Sequence, residues 1–175
     1  MTKSVPFRLA LAVTLFAALT LAFTYPVWTR PDTLLNDPFD ARLNAWILAW
    51  DAHALVDATG ELFDANIFHP HDGTLAYSEN LLGSALPVAP LNWAGHPILA
   101  YNVVLLVSFV LSGIAMLLWV RRLSGSWIAG LVAGVAWAFA PTKTDHLAHL
   151  QLLTSMWVPA VLWLLTAYAE ERRRG

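Results

Sequence analysis

Three groups of side chains in this sequence are able to do chemistry. "NDPFD" carries Asp37 and Asp40, two carboxylates three residues apart. "FHPHDGTLAYSEN" carries His69, His71, Asp72, Ser78 and Glu79. "PTKTDHLAHLQ" carries Lys143, Asp145, His146 and His149. Carboxylates act as general bases or hold hard cations such as Mg²⁺ or Mn²⁺; imidazoles suit Zn²⁺ or serve as neutral hydrogen-bond partners. Spacing alone does not choose between these. Each group also has a plain structural reading. Asp37 and Asp40 fit a turn residue and a helix cap. His69 and His71 flank Pro70 in a rigid turn. Asp145 and His149, four apart, are expected to share a helix face. Lys143 either neutralises Asp145 or meets a phosphate as a point charge.

The elements that must position these groups follow from composition. The chain has 175 residues, 58% hydrophobic and 13% charged, with mean hydropathy +0.56. A soluble domain carries about 25% charge, so the balance points to an all-α membrane protein. There is no cysteine, which removes disulfides and thiolate sites. A net charge of −2 gives no basic footprint for nucleic acid. Four membrane spans are expected, over residues 7–27, 98–120, 127–140 and 150–169, since a bilayer core needs about 20 apolar residues per helix. The third is short and borrows residues from its flanks. The first is read as an uncleaved anchor, because "LTLAFTYPVW" lacks a small-x-small cleavage site.

Charge sets the expected orientation. With both termini cytoplasmic, seven of the ten Lys and Arg residues lie inside: Lys3, Arg8, Arg121, Arg122 and Arg172 to Arg174. Ten of the twelve acidic residues then lie outside. An outer loop over residues 28–97 results, followed by a second outer turn at "PTKTDHLAHLQ". In the loop, "ARLNAWILAWDAHALVDATG" places Leu43, Trp46, Ile47, Trp50, Ala54 and Leu55 at helical spacing, with Asp51 and Asp57 elsewhere. This predicts an amphipathic interfacial helix, capped by Asp40 and ended by Gly60, with tryptophans as anchors. A second helix is expected in "SENLLGSALPVAPLNW", capped by Ser78 and interrupted near its end by Pro87 and Pro90.

One short cytoplasmic segment, one span, then acidic residues opening a long outer loop with interfacial helices: this plan resembles the GT-C superfamily of membrane glycosyltransferases. "DARLNAWILAW", "ANIFHPHDGTLAYSENLL" and "FAPTKTDHLAHLQLLTSMWVP" look like stretches of bacterial members. The resemblance implies an enzyme of the bacterial inner membrane that takes a lipid-linked sugar donor, a polyprenyl phosphate, on the extracytoplasmic face. It implies catalytic roles for Asp37 and Asp40, with Asp37 and Asp145 as ligands of a divalent cation, Mg or Mn. Lys143, Asp145, His146, His149, His69, His71 and Glu79 would bind substrate. Family members usually have more spans, so the chain is expected to be the N-terminal part of a larger module, completed by a continuation or a partner chain. The rival reading is a non-catalytic assembly or scaffold subunit with a folded outer loop. A transporter is disfavoured, because the ionisable groups cluster at span ends rather than mid-membrane.

Overall fold

A computed structural model describes residues 4–57 and 62–173. Among them are eight α-helices and no strand: α1 Ser4–Phe23, α2 Asp40–Ala54, α3 Leu82–Trp93, α4 Pro97–Ser124, α5 Trp127–Ala138, α6 Pro141–Thr144, α7 Leu150–Leu153 and α8 Trp157–Arg172. Three helical stretches are long and apolar enough to cross a membrane: Val5–Phe23, Pro97–Ser124 and Leu150–Arg172. The all-α membrane architecture is as expected. The chain divides into two compact units. A bundle unit comprises Met1–Tyr25, Leu106–His146 and Leu152–Gly175; a loop unit comprises Pro26–Leu105 and Leu147–Gln151.

In the bundle unit, glycines let helices approach backbone to backbone. A Cβ at Gly134 would fall 2.7 Å from the Gly113 carbonyl oxygen and 2.7 Å from Phe16 Cζ. One at Gly130 would fall 2.6 Å from the Leu117 carbonyl oxygen. Such small-residue contacts bring helices together where lipid supplies no hydrophobic drive. Fully buried Phe16 is the side chain they close around. Gly125, at φ 70°, ends α4, and Ser126 Oγ accepts the Ala129 N–H to cap α5.

The contacts fix helix directions within this unit. Arg8 of α1 and Arg121 of α4 both lie over the Trp127 ring, at 5.9 and 3.9 Å. Arg122 donates to Glu170 of α8 at 2.8 Å. The start of α1, the end of α4, the start of α5 and the end of α8 therefore share one end, with its cluster of arginines. Phe139, just past α5, stacks on Phe23 and Phe109 toward the other end. α5 thus returns antiparallel along α4. Its 12 residues reach only ~18 Å, short of a ~30 Å bilayer core. The expected third span is correspondingly a short helix, not one of the three long apolar ones.

In the loop unit, α2 packs on α3. The buried face of α2 differs from the one the apolar spacing predicts. Ala41, Asn44, Ala45, Ile47, Leu48, Asp51 and Ala52 are buried, while Leu43 and Leu55 are exposed. Small residues on that face let α3 approach closely, and α3 brings polar partners. Asn80 Nδ2 donates to Asp51 Oδ1 at 3.1 Å, and Trp93 Nε1 donates to the Ala52 carbonyl at 2.9 Å. The helix ends at Ala54; Gly60, expected as its terminator, lies outside the described residues. α3 runs through Pro87 and Pro90 to Trp93 rather than stopping there, because its docking on α2 outweighs the two missing N–H donors. Ser78 does not cap it. Ser78 donates to Glu79, and Asn80 Oδ1 accepts the Leu82 N–H instead.

Candidate functional site

Two buried residues at the start of α4 set where the acidic turn sits. Asn102 Nδ2 donates to the carbonyls of Pro31 and Leu34, both at 2.8 Å. The Tyr101 hydroxyl lies 3.0 Å from Asn36 Oδ1 and 3.1 Å from the Leu147 carbonyl. The segment leading to Asp37 is thereby held against α4 at both its ends.

Asp40 is the first residue of α2 and Phe39 its N-cap position; the side chain that ties down this entry is that of Asp37. Its Oδ1 accepts the N–H groups of Phe39, at 2.8 Å, and Asp40, at 2.7 Å. Those donors are left over at a helix N-terminus, so a carboxylate there is stabilised by both the bonds and the helix dipole. Asp37 Oδ2 has no hydrogen-bond partner among the described residues. Asp37 lines a pocket of about 440 Å³ together with Arg42, Trp46, Leu35, Pro97 and Ile98. One carboxylate, one guanidinium and one indole thus share a concavity whose remaining walls are mostly apolar. Trp46 stacks on Trp50 at 6.1 Å, and Trp50 Nε1 is tied to the Leu62 carbonyl at 3.0 Å. The indole at the pocket is therefore braced.

Asp40 is the first residue of α2, and its Oδ2 lies 3.4 Å from His149 Nε2. The expected helix over 145–149 does not form. α6 is only four residues long, and the chain turns after Thr144. His149 thus approaches Asp40, within the loop unit, rather than sharing a helix face with Asp145. The Leu147–Gln151 stretch is stitched to that unit throughout. Asn44 Nδ2 donates to the Ala148 carbonyl at 3.2 Å, and Gln151 Nε2 donates to Glu79 Oε1 at 3.2 Å. Glu79 also accepts from Ser78 Oγ at 2.7 Å. His69 and His71 are exposed and border a separate pocket with Trp50, Asp64 and Asp72.

No family model, curated protein or solved structure matches this chain.

Lys143, Asp145 and His146 belong to the bundle unit. Asp145 and His146 are exposed. Lys143 is buried, and burial lowers its ammonium to about 8. It makes no ion pair among the described residues, so the expected neutralisation of Asp145 is absent. Among the described residues no three His, Asp or Glu side chains form a group able to hold a metal ion. Arg42, Trp46, Tyr101 and Asn44 were not legible as site residues. Arg42 and Trp46 lie five and nine residues past Asp37, and only the sharp entry into α2 turns all three toward one pocket.

Proposed function

We propose that the loop unit carries the acceptor-activating site of a GT-C-like membrane glycosyltransferase, acting on a polyprenyl-phosphate sugar at the extracytoplasmic surface. Supporting this reading is the pocket that gathers Asp37, Arg42 and Trp46. Asp37 Oδ2 takes the proton from an acceptor hydroxyl as that oxygen attacks the anomeric carbon. The bond from that carbon to the phosphate oxygen breaks, and polyprenyl phosphate leaves with the electron pair. Arg42 pairs with the developing phosphate charge through its fork of N–H donors. Trp46 offers an apolar face to the sugar ring, and Leu35, Pro97 and Ile98 offer apolar surface to the first isoprene units.

The same proposal places both described chain ends on the cytoplasmic side, with α5 and its flanks as a fourth crossing. The shared arginine-rich end of α1, α4 and α8 supports it. Membranes from cells expressing the chain, given a panel of polyprenyl-phosphate sugars labelled in the sugar, should transfer label beyond control membranes. Arg42→Gln should raise KM for the donor about tenfold, the scale of one charge-assisted contact. Absence of transfer from every donor would favour the scaffold reading; transfer with unaltered donor KM in Arg42→Gln would remove Arg42 from the site.

A further inference from the structure

Among the described residues, the bundle unit buries a cation with no anion paired to it. Lys143 is 5% exposed. Its Nζ donates to Ser112 Oγ at 2.9 Å and to the Leu153 carbonyl at 3.4 Å, and it lies 5.6 Å from the centre of the Trp137 ring. Neutral dipoles and a π face offset only part of what an ammonium loses on leaving water. Two more donors share its surroundings. Trp137 Nε1 and Ser155 Oγ are buried and have no hydrogen-bond partner among the described residues. An indole N–H can only donate, so its partner must be an acceptor.

Lys143, Trp137 and Ser155 all line one pocket of about 390 Å³, along with Thr142, His146, Ala140 and Leu152. Among the described residues no carboxylate lines it. We propose that this pocket binds an oxyanion, phosphate or carboxylate, carried on an apolar body. The charge decides the ligand's sign: a neutral ligand would leave the ammonium uncompensated, and a metal cation would be repelled. Two orphaned donors beside the ammonium match an acceptor-only group with several oxygens. The pocket is larger than one phosphate, and Leu152, Ala140 and the indole face give its remainder an apolar lining. The inference stands without the transfer reading, since it uses none of the residues at the Asp37 pocket. A lipid phosphate headgroup and a free fatty carboxylate both have the required chemistry.

The test uses the full chain in detergent, with binding read by native mass spectrometry. The probes are dioleoyl phosphatidic acid, dodecanoate, and dioleoylglycerol as the same apolar body without the oxyanion. Phosphatidic acid or dodecanoate should bind at least about tenfold more tightly than dioleoylglycerol, and the stronger of the two names the source. Lys143→Met should abolish that preference. Ser155→Ala, which removes one orphaned donor and little volume, and Trp137→Phe, which removes the other but keeps an aromatic face, should weaken it several-fold and carry the test if Lys143→Met does not fold. Equal binding of all three probes overturns the proposal. So does a preference that survives in the foldable variants undiminished.

Discussion

Asp37 and Asp51 sit at the entry and in the body of the same helix, α2, and the fold treats them oppositely. Asp37 is partly open to water; one oxygen is fixed by two backbone N–H groups, and the residue lines a pocket. Asp51 is fully buried, with Oδ1 bonded to Asn80 and Oδ2 without a partner among the described residues. Burial pushes its carboxyl up to about 6, while hydrogen bonds from Asn80 and the Leu81 backbone pull the other way. The first carboxylate is held without strain and kept available. The second is costly and serves the packing of α2 on α3. A buried carboxylate is therefore not by itself a reactive one; what counts is an unspent oxygen facing space for a ligand.

Substitution should separate these two roles. The largest effect on stability is expected at Asp51. Its carboxyl is raised above its ordinary value of 3.8 to about 6, so between those values the folded protein holds more proton than the unfolded chain. Stability falls as pH rises through that window, and the full penalty is present above it. Asp51→Asn should remove a penalty of up to about 3 kcal/mol at pH 7.5 and change little at pH 4. Thermal unfolding in detergent at the two pH values checks this, and a gain independent of pH would break the comparison.

A smaller effect is expected at Asp37. Asp37→Ala loses the cap on α2 and should cost about 1 kcal/mol, whereas Asp37→Asn, which caps well, should cost only a few tenths. If both substitutions cost the same, Asp37 is not held as a cap, and its fixed orientation at the pocket goes with it.

The contrast also marks what the sequence made legible. The long apolar helices were readable because membrane length and apolar run are local properties: α1 and α4 overlap the stretches expected at 7–27 and 98–120. The last span was located, yet α7 and α8 divide it where the chain turns between Leu153 and Trp157. The face of α2 was not readable. Apolar spacing assigned Asp51 to water, but the polar groups that receive it, Asn80 and the Leu81 backbone, lie about 30 residues away in sequence. The same holds for His149. Four-residue spacing suggested Asp145 as its partner, and a turn instead delivers it to Asp40. Asp37 was read as either a turn residue or a reactive carboxylate. Its capping bonds were assigned to Asp40, because the helix start could not be placed to within three residues from propensity alone.

The measurement that tests the account most directly is sugar transfer by Asp37→Asn, in membranes where the wild-type chain transfers label. Asparagine keeps the cap and the shape but cannot accept the acceptor's proton. Transfer should fall by about 10²–10⁴-fold, the usual contribution of a general base, while abundance and thermal unfolding stay close to wild type. Wild-type rates in Asp37→Asn would contradict the account and return Asp37 to the role of a helix cap.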